Sequence, residues 1–173
     1  MTSSTPSPAP SLASKLPPEM NALQSRPLFA IMIEVLPPQA IFEAPIGLRR
    51  VTIISGGRFE GEKLRGEIMP IGGSDWQTVR SGDGTWLLNV RLVLKTDDGE
   101  HIMMAYEGMR HGPKEVLDAI GRGESVSPYD YYLRISARFE TTSKKYDFLN
   151  RLIAVGVGHR LPEGAVYQMF EIV

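Results

Sequence analysis

Asp75 and Trp76 follow Gly72-Gly73-Ser74 at the end of an apolar, strand-like stretch, and there side chains able to do chemistry stand together. Glycines let the backbone turn sharply or approach a ligand closely. The acid and the indole then offer an acceptor, a donor and a flat apolar face at one point, which reads as a pocket mouth. Further along the chain, Arg91, Tyr106, Tyr132, Arg134, Phe139 and Glu140 supply the other candidate groups. An arginine offers a planar donor fork to a carboxylate, phenolate or enolate, and a tyrosine hydroxyl can donate beside it. A carboxyl partly desolvated by Trp76 or Phe139 rises in pKa and can move a proton near neutral pH.

Such groups act together only if a fold positions them. From Leu28 onward the chain alternates short apolar runs with glycine-rich or acidic turns, the pattern of an all-β sandwich or barrel. About eight candidate strands stand out by that pattern. They are Leu28–Val35, Arg49–Ile54, Leu64–Ile71, Trp86–Thr96, His101–Met109, Tyr131–Thr141, Leu149–Val157 and Val166–Ile172. Asp97-Asp98-Gly99 tolerates the positive φ of a tight hairpin, so Trp86–Thr96 and His101–Met109 are predicted antiparallel neighbours. One segment reads as a short helix: Pro113 opens it, Val116, Leu117 and Ile120 share a face, and Gly121 and Gly123 end it.

Alternation sorts the strand side chains into faces. Trp86, Leu88, Val90, Leu92 and Leu94 lie opposite Leu87, Asn89, Arg91, Val93 and Lys95. Tyr131, Leu133, Ile135, Ala137 and Phe139 lie opposite Tyr132, Arg134, Ser136, Arg138 and Glu140. A half-buried sheet puts the charged set in water, whereas a barrel with a polar lumen turns part of it inward around a ligand. Both arrangements satisfy the pattern.

The chain of 173 residues carries 19 Lys and Arg against 20 Asp and Glu, a formal net charge of −1. One domain is expected, with no field to gather nucleic acid or an anionic membrane. Cysteine is absent, which excludes disulfides and thiol chemistry, and His101, His111 and His159 lack metal-ligand spacing, so no metal site is expected. His159 remains a minor candidate base. Residues 1–26, rich in Ser, Pro and Ala, read as a disordered tail before a domain over 27–173. Prolines interrupt any secretory apolar run, and no segment reaches a membrane span, so a cytoplasmic, soluble protein is expected. Gly56-Gly57 and Gly61 match neither a dinucleotide fingerprint nor a P-loop, and no Gly-Xaa-Ser-Xaa-Gly elbow occurs. No cofactor is expected.

The ordered series Gly56-Gly57-Arg58-Phe59-Glu60-Gly61, Gly66-Glu67, Gly73-Ser74-Asp75-Trp76, Asp83-Gly84, Arg91, Thr96-Asp97-Asp98-Gly99, Gly108, Tyr131-Tyr132-Leu133-Arg134, Phe139-Glu140-Thr141 and Leu149-Asn150 resembles the DUF3237 family, also called UPF0311. The resemblance runs from about Leu28 to the C-terminus. It implies a single antiparallel calycin-like, lipocalin-like β-barrel. It implies no reaction, and the proline-rich extension departs from it.

Asp75, Glu140 and Arg134 are therefore expected as catalytic groups, with Trp76, Arg91, Tyr106, Tyr132 and Phe139 as ligand-binding ones, converging near one end of a barrel. The favoured reading is an enzyme doing acid–base chemistry, of isomerase, cyclase or lyase type, on a small phenolic, enol or carbonyl compound. A small-ligand carrier or sensor would use the same pocket, and a homodimeric interaction module would use an oily outer face instead. A homodimer is compatible with all three. Against these stand structural roles: Asp75 capping a turn, Trp76 plugging the barrel end, and an Arg134–Glu140 pair fixing geometry.

Overall fold

The computed structural model describes residues 11–173. Ten strands follow in chain order: β1 (Ser25–Val35), β2 (Gln39–Ala44), β3 (Gly47–Glu60), β4 (Arg65–Ile68), β5 (Ser74–Arg80), β6 (Trp86–Thr96), β7 (His101–His111), β8 (Tyr132–Glu140), β9 (Ala154–Leu161) and β10 (Gly164–Ile172). Among the described residues a single α-helix, α1 (Lys114–Gly121), lies between β7 and β8. Before β1, single 3-10 turns at Leu12–Lys15 and Pro18–Asn21 bury no side chain. The first ten residues of the predicted tail lie outside the described residues.

Every pairing is antiparallel, and the series β1-β10-β9-β8-β7-β6 closes through β3 back onto β1. Between β6 and β3 the wall is a broken stave. β4 bridges Leu94–Thr96 to Arg58–Glu60, and β5 bridges Trp86–Arg91 to Gly47–Ile53. The result is the expected closed eight-stranded antiparallel barrel with one helix. Closure leaves an interior about wide enough for packed side chains or one small ligand. β2 folds back on the outer end of β3 as a hairpin flap.

Period-two alternation then fills the interior. Leu88, Val90, Leu92 and Leu94 of β6 point inward with Leu133, Ile135, Ala137 and Phe139 of β8, as predicted. One end is packed solid, with Phe29 edge-on to Phe59 at 5.8 Å and to Phe139 at 5.9 Å between ring centroids. The β6–β7 turn is also as predicted: Gly99 takes a φ of +88° and its N–H donates to the Thr96 carbonyl at 2.8 Å. Pro113 caps α1, Ile120 is its buried residue, and Val116 and Leu117 pack on the core.

Three strands differ from expectation. β5 begins at Ser74, directly after Gly72-Gly73, so Asp75 stands on a strand rather than capping a turn. β5 escaped the pattern because inward Asp75 and Gln77 leave it no apolar alternation. β2 is exposed along nearly its whole length and carries no burial signal. The predicted strand Leu149–Val157 starts late, because Asp147–Arg151 is a 3-10 turn that inserts the fully buried Leu149. Among the described residues, no helix is long and apolar enough to cross a membrane.

The packed end is tied by Asp98, which does more than turn the hairpin. Its carboxylate accepts from Lys145 Nζ at 2.5 Å, from Thr96 Oγ1 at 2.5 Å and from the Tyr146 hydroxyl at 3.0 Å. Lys145 and these hydroxyl donors hold its pKa down at about 2. A carboxyl depressed in the folded state stabilises the fold above its unfolded pKa and loses that contribution as the pH falls through the folded value. Asp98→Ala is therefore expected to lower the melting temperature near neutral pH. In a pH series of thermal melts, the gap to the wild type should close between about 4 and about 2; a gap independent of pH would show that the carboxylate bonds do not carry the effect.

Candidate functional site

Pairing carries one row of residues around the barrel wall. Thr52 stands opposite Asp75, Asp75 opposite Val90, Val90 opposite Tyr106, Tyr106 opposite Ala137, and Ala137 opposite Ala154. Paired residues share a face, and Val90 and Ala137 are buried inside, so Thr52, Asp75 and Tyr106 point inward as well. On one side of this row the interior is the apolar plug. On the other it turns polar, with Arg50 opposite Gln77 and Trp86 opposite Arg110. Tyr167 of β10 leans over Tyr106, ring centroids 5.9 Å apart. Gly158 leaves room for it, because a Cβ there would stand 2.5 Å from the Tyr167 ring and 2.6 Å from Leu133.

These side chains enclose a cavity of about 380 Å³, bordered at its mouth by Pro37, Pro38 and the C-terminal end of α1. Three buried polar atoms lining it make no hydrogen bond to any described protein group: Thr52 Oγ1, Gln77 Oε1 and Arg110 Nε. Native interiors leave few such atoms, and three at one cavity are polar groups free to bond water or a small molecule.

Asp75 is the carboxylate at its floor. Gln77 Nε2 donates to Oδ2 at 2.7 Å, and the Asn89 backbone N–H donates to Oδ1 at 3.2 Å. Burial pushes the Asp75 pKa up, and those two bonds together with the Arg110 charge hold back part of the rise. The Tyr106 and Tyr167 phenols are pushed upward by burial and by the Asp75 charge, so both are hydrogen-bond donors at neutral pH. Arg110 is pulled down to about 10 by burial and by the charge of Arg160, and it remains a cation at neutral pH. Its guanidinium lies 4.2 Å from the Trp86 ring centroid, and that of Arg50 lies 4.6 Å from the same ring. Among the described residues, no group of three or more His, Asp or Glu gathers as a metal-binding set.

The structure divides the residues singled out from sequence. Asp75 and Tyr106 face the cavity. Phe139 faces inward but belongs to the apolar plug against Phe29. Trp76, Arg91, Tyr132, Arg134 and Glu140 lie on the outer face, because their strands commit the alternate, apolar positions to the core. Trp76 is 53% exposed, with its indole N–H on Ser74 Oγ at 3.1 Å, so it does not plug the barrel. Arg134 donates to the Leu133 carbonyl at 2.8 Å and lies over the Tyr132 ring, and among the described residues it forms no ion pair with Glu140. Glu140 and Arg134 therefore do not meet Asp75.

Trp76, Tyr132 and Arg134 instead border an outer groove of about 820 Å³ together with Leu87, Met109 and Val157. The groove is larger than the lumen cavity but lies on the outer face, where Arg49 donates to Thr78 at 2.5 Å and Asn89 reaches Glu107 at 3.5 Å. The lumen cavity is the better site for chemistry, because there buried polar atoms lack partners.

Sequence reasoning missed Arg50, Thr52, Gln77, Trp86, Arg110, Arg160 and Tyr167 as site residues. One signal was available. The hairpin register that pairs Lys95 with His101 also pairs Trp86 with Arg110, so the turn alone places an arginine opposite a tryptophan.

Comparison with known proteins agrees with this geometry at the level of family and fold. The family model described as "Protein of unknown function (DUF3237)" matches residues 23–172. A UPF0311 protein of Clostridium acetobutylicum is 36% identical over 146 residues, covering 84% of this chain and 91% of that protein. The crystal structure of a conserved protein of unknown function from Rhodopseudomonas palustris superposes with a TM-score of 0.82 at 30% identity, covering 88% of this chain and 98% of that one. The crystal structure of an enzyme from Penicillium herquei shares the fold at 19% identity, with a TM-score of 0.66 and coverage of 99% and 100%. With its barrel, its turn chemistry and a match over nearly its full length, the chain belongs to the DUF3237 family of proteins of unknown function.

Proposed function

We propose that the lumen cavity binds a small phenolic, enol or carbonyl compound and that Asp75 moves a proton on it, in chemistry of isomerase, cyclase or lyase type. The observation that carries this reading is the set of unpartnered Thr52, Gln77 and Arg110 atoms around one raised-pKa carboxyl. In the simplest cycle, Asp75 takes a proton from a carbon beside a carbonyl, the electron pair of that C–H bond forms a C=C bond, and the carbonyl π pair moves onto its oxygen. Arg110, Tyr106 or Tyr167 donates to the developing oxyanion in a site of low dielectric. The carboxyl then returns the proton to a different atom. Atoms and electrons balance, and no oxidant is needed. A carrier would use the same contacts without the proton transfer.

Solvent exchange separates the two. Incubated in heavy water with a panel of β-diketones and phenols, the wild type is expected to accelerate deuterium uptake into at least one bound compound. Asp75→Asn should reduce that rate by about 10²–10⁴-fold while still binding it. Binding without exchange in the wild type identifies a carrier; full exchange in the variant removes Asp75 from the mechanism.

Fluorescence locates the ligand. Only Trp86 lines the cavity and Trp76 lies outside, so the emission change on binding should persist in Trp76→Phe and vanish in Trp86→Phe. The opposite pattern would move the site to the outer groove.

The Asp75 shift also has a sign in stability. Because burial raises its pKa, the ionised form costs the folded state stability above that pKa, and the cost disappears below the unfolded value near 3.8. Asp75→Asn, which keeps an acceptor for the Asn89 N–H, is expected to raise the melting temperature by a few degrees at mildly alkaline pH. The gain should shrink as the pH falls toward about 4, and a variant less stable at every pH would contradict the assignment.

A further inference from the structure

We propose that the mouth of the cavity is a carboxylate-binding subsite, formed by Arg110 with Arg50 and Arg160, and that the ligand is a small aromatic acid whose ring spans from these arginines to Asp75. The inference rests on the reading of the lumen as a small-molecule site and adds the chemical class of the molecule.

Arg110 is 8% exposed, and its Nε has no hydrogen-bond partner among the described residues. Arg50 and Arg160 are close enough for their charges to act on it. None of the three forms a salt bridge among the described residues. Glu124 borders the same cavity, but its two oxygens are taken by Arg122 at 2.6 and 3.1 Å. The Asp75 charge reaches Arg110 and the Glu163 charge reaches Arg160, but neither carboxylate forms a salt bridge with any of the three arginines. Burying like charges without carboxylate partners is unfavourable until an anion completes the set.

The arginines are also aimed. Arg110 and Arg50 both lie against Trp86, and Arg160 is held through its guanidinium by the Leu161 and Gly164 carbonyls. The Arg160 backbone N–H donates to the Tyr131 hydroxyl at 2.6 Å, which fixes the strand beneath it. A planar fork suits a carboxylate, whose two oxygens match parallel N–H donors.

Spacing sets the size. Trp86, opposite Arg110, and Val90, opposite Asp75, are four residues apart on β6, about 13 Å along a strand. The Arg110 charge acts on Asp75 across this gap, so both groups lie within reach of one small ring and its substituents. Leu88, between the two levels, gives that ring an apolar wall. A carboxylate at the arginines then places a ring oxygen at Asp75 and Tyr106.

Calorimetric titration of the full-length protein tests this with three probes: 4-hydroxybenzoate, its neutral amide 4-hydroxybenzamide, and inorganic phosphate. The expected result is binding of the acid at least tenfold tighter than the amide. Arg110→Met should weaken the acid by about ten- to a hundredfold and leave the amide nearly unchanged. Arg50→Gln, at the more open edge, repeats the comparison if Arg110→Met does not fold by circular dichroism. Asp75→Asn should keep the preference for acid over amide even though it removes proton transfer, so the subsite and the catalytic reading fail separately. Equal affinity for acid and amide, an unchanged acid affinity in both arginine variants, or absence of heat from every probe would overturn the proposal. Phosphate binding that 4-hydroxybenzoate cannot displace would also overturn it, in favour of a free inorganic anion.

Discussion

Everything in the site depends on the register of a closed antiparallel barrel. Once β3, β5, β6, β7, β8 and β9 are paired as they are, one transverse row places Thr52, Asp75 and Tyr106 on the inside at a common level. A one-residue slip of any stave would send its member of that row outside and bring a neighbour in. For β5 the exchange would replace Asp75 with Trp76 and Gln77 with Thr78. The polar chamber exists only in the register observed, and the packed phenylalanine end holds that register. Phe29, Phe59 and Phe139 belong to β1, β3 and β8 and interlock at the foot of the barrel.

The two ends divide the work of stability and chemistry. Apolar burial and the Asp98 bonds close one end, whereas the other buries Arg110, Thr52 and Gln77 without full hydrogen bonding. Leaving buried polar atoms unpaired costs about 1–3 kcal/mol each, so the chamber carries an internal hydrogen-bond deficit that water or a bound molecule must make up. Such a deficit is tolerable because it is confined to one layer above a complete core. The split stave serves the same division. β4 continues the wall at the packed end, and β5 supplies the acid at the open end.

How much of this was legible in the sequence follows from the range of each interaction. The β6–β7 hairpin was readable because Asp97-Asp98-Gly99 is local, and so were the inward faces of β6 and β8, where leucines and isoleucines alternate with charge. The same alternation decided against Arg91, Arg134 and Glu140. With Leu92, Leu133 and Phe139 committed inward, their neighbours must face outward, and the lumen becomes polar only where the apolar set runs out. β5 was invisible as a strand because its inward residues serve the site rather than the core. Arg50, Thr52 and Tyr167 enter through pairings between segments far apart in the chain, which no local pattern reports.

Trp86 explains how guanidiniums gather at the mouth without carboxylate partners. An aspartate between Arg50 and Arg110 would neutralise them and fill the subsite from within. The indole face instead offers a negative quadrupole that attracts both cations while leaving their charge and their N–H donors unspent. Attraction of this kind is weaker than a buried ion pair, and weakness is what the site requires, since an incoming anion must compete with what already holds the arginines. Asp75 sits deeper, and its bonds from Gln77 and Asn89 hold it against the cavity wall. Trp86 thus holds Arg50 and Arg110 at the mouth while Gln77 and Asn89 hold Asp75 at the floor, two unlike charges that the proposed acid would bridge.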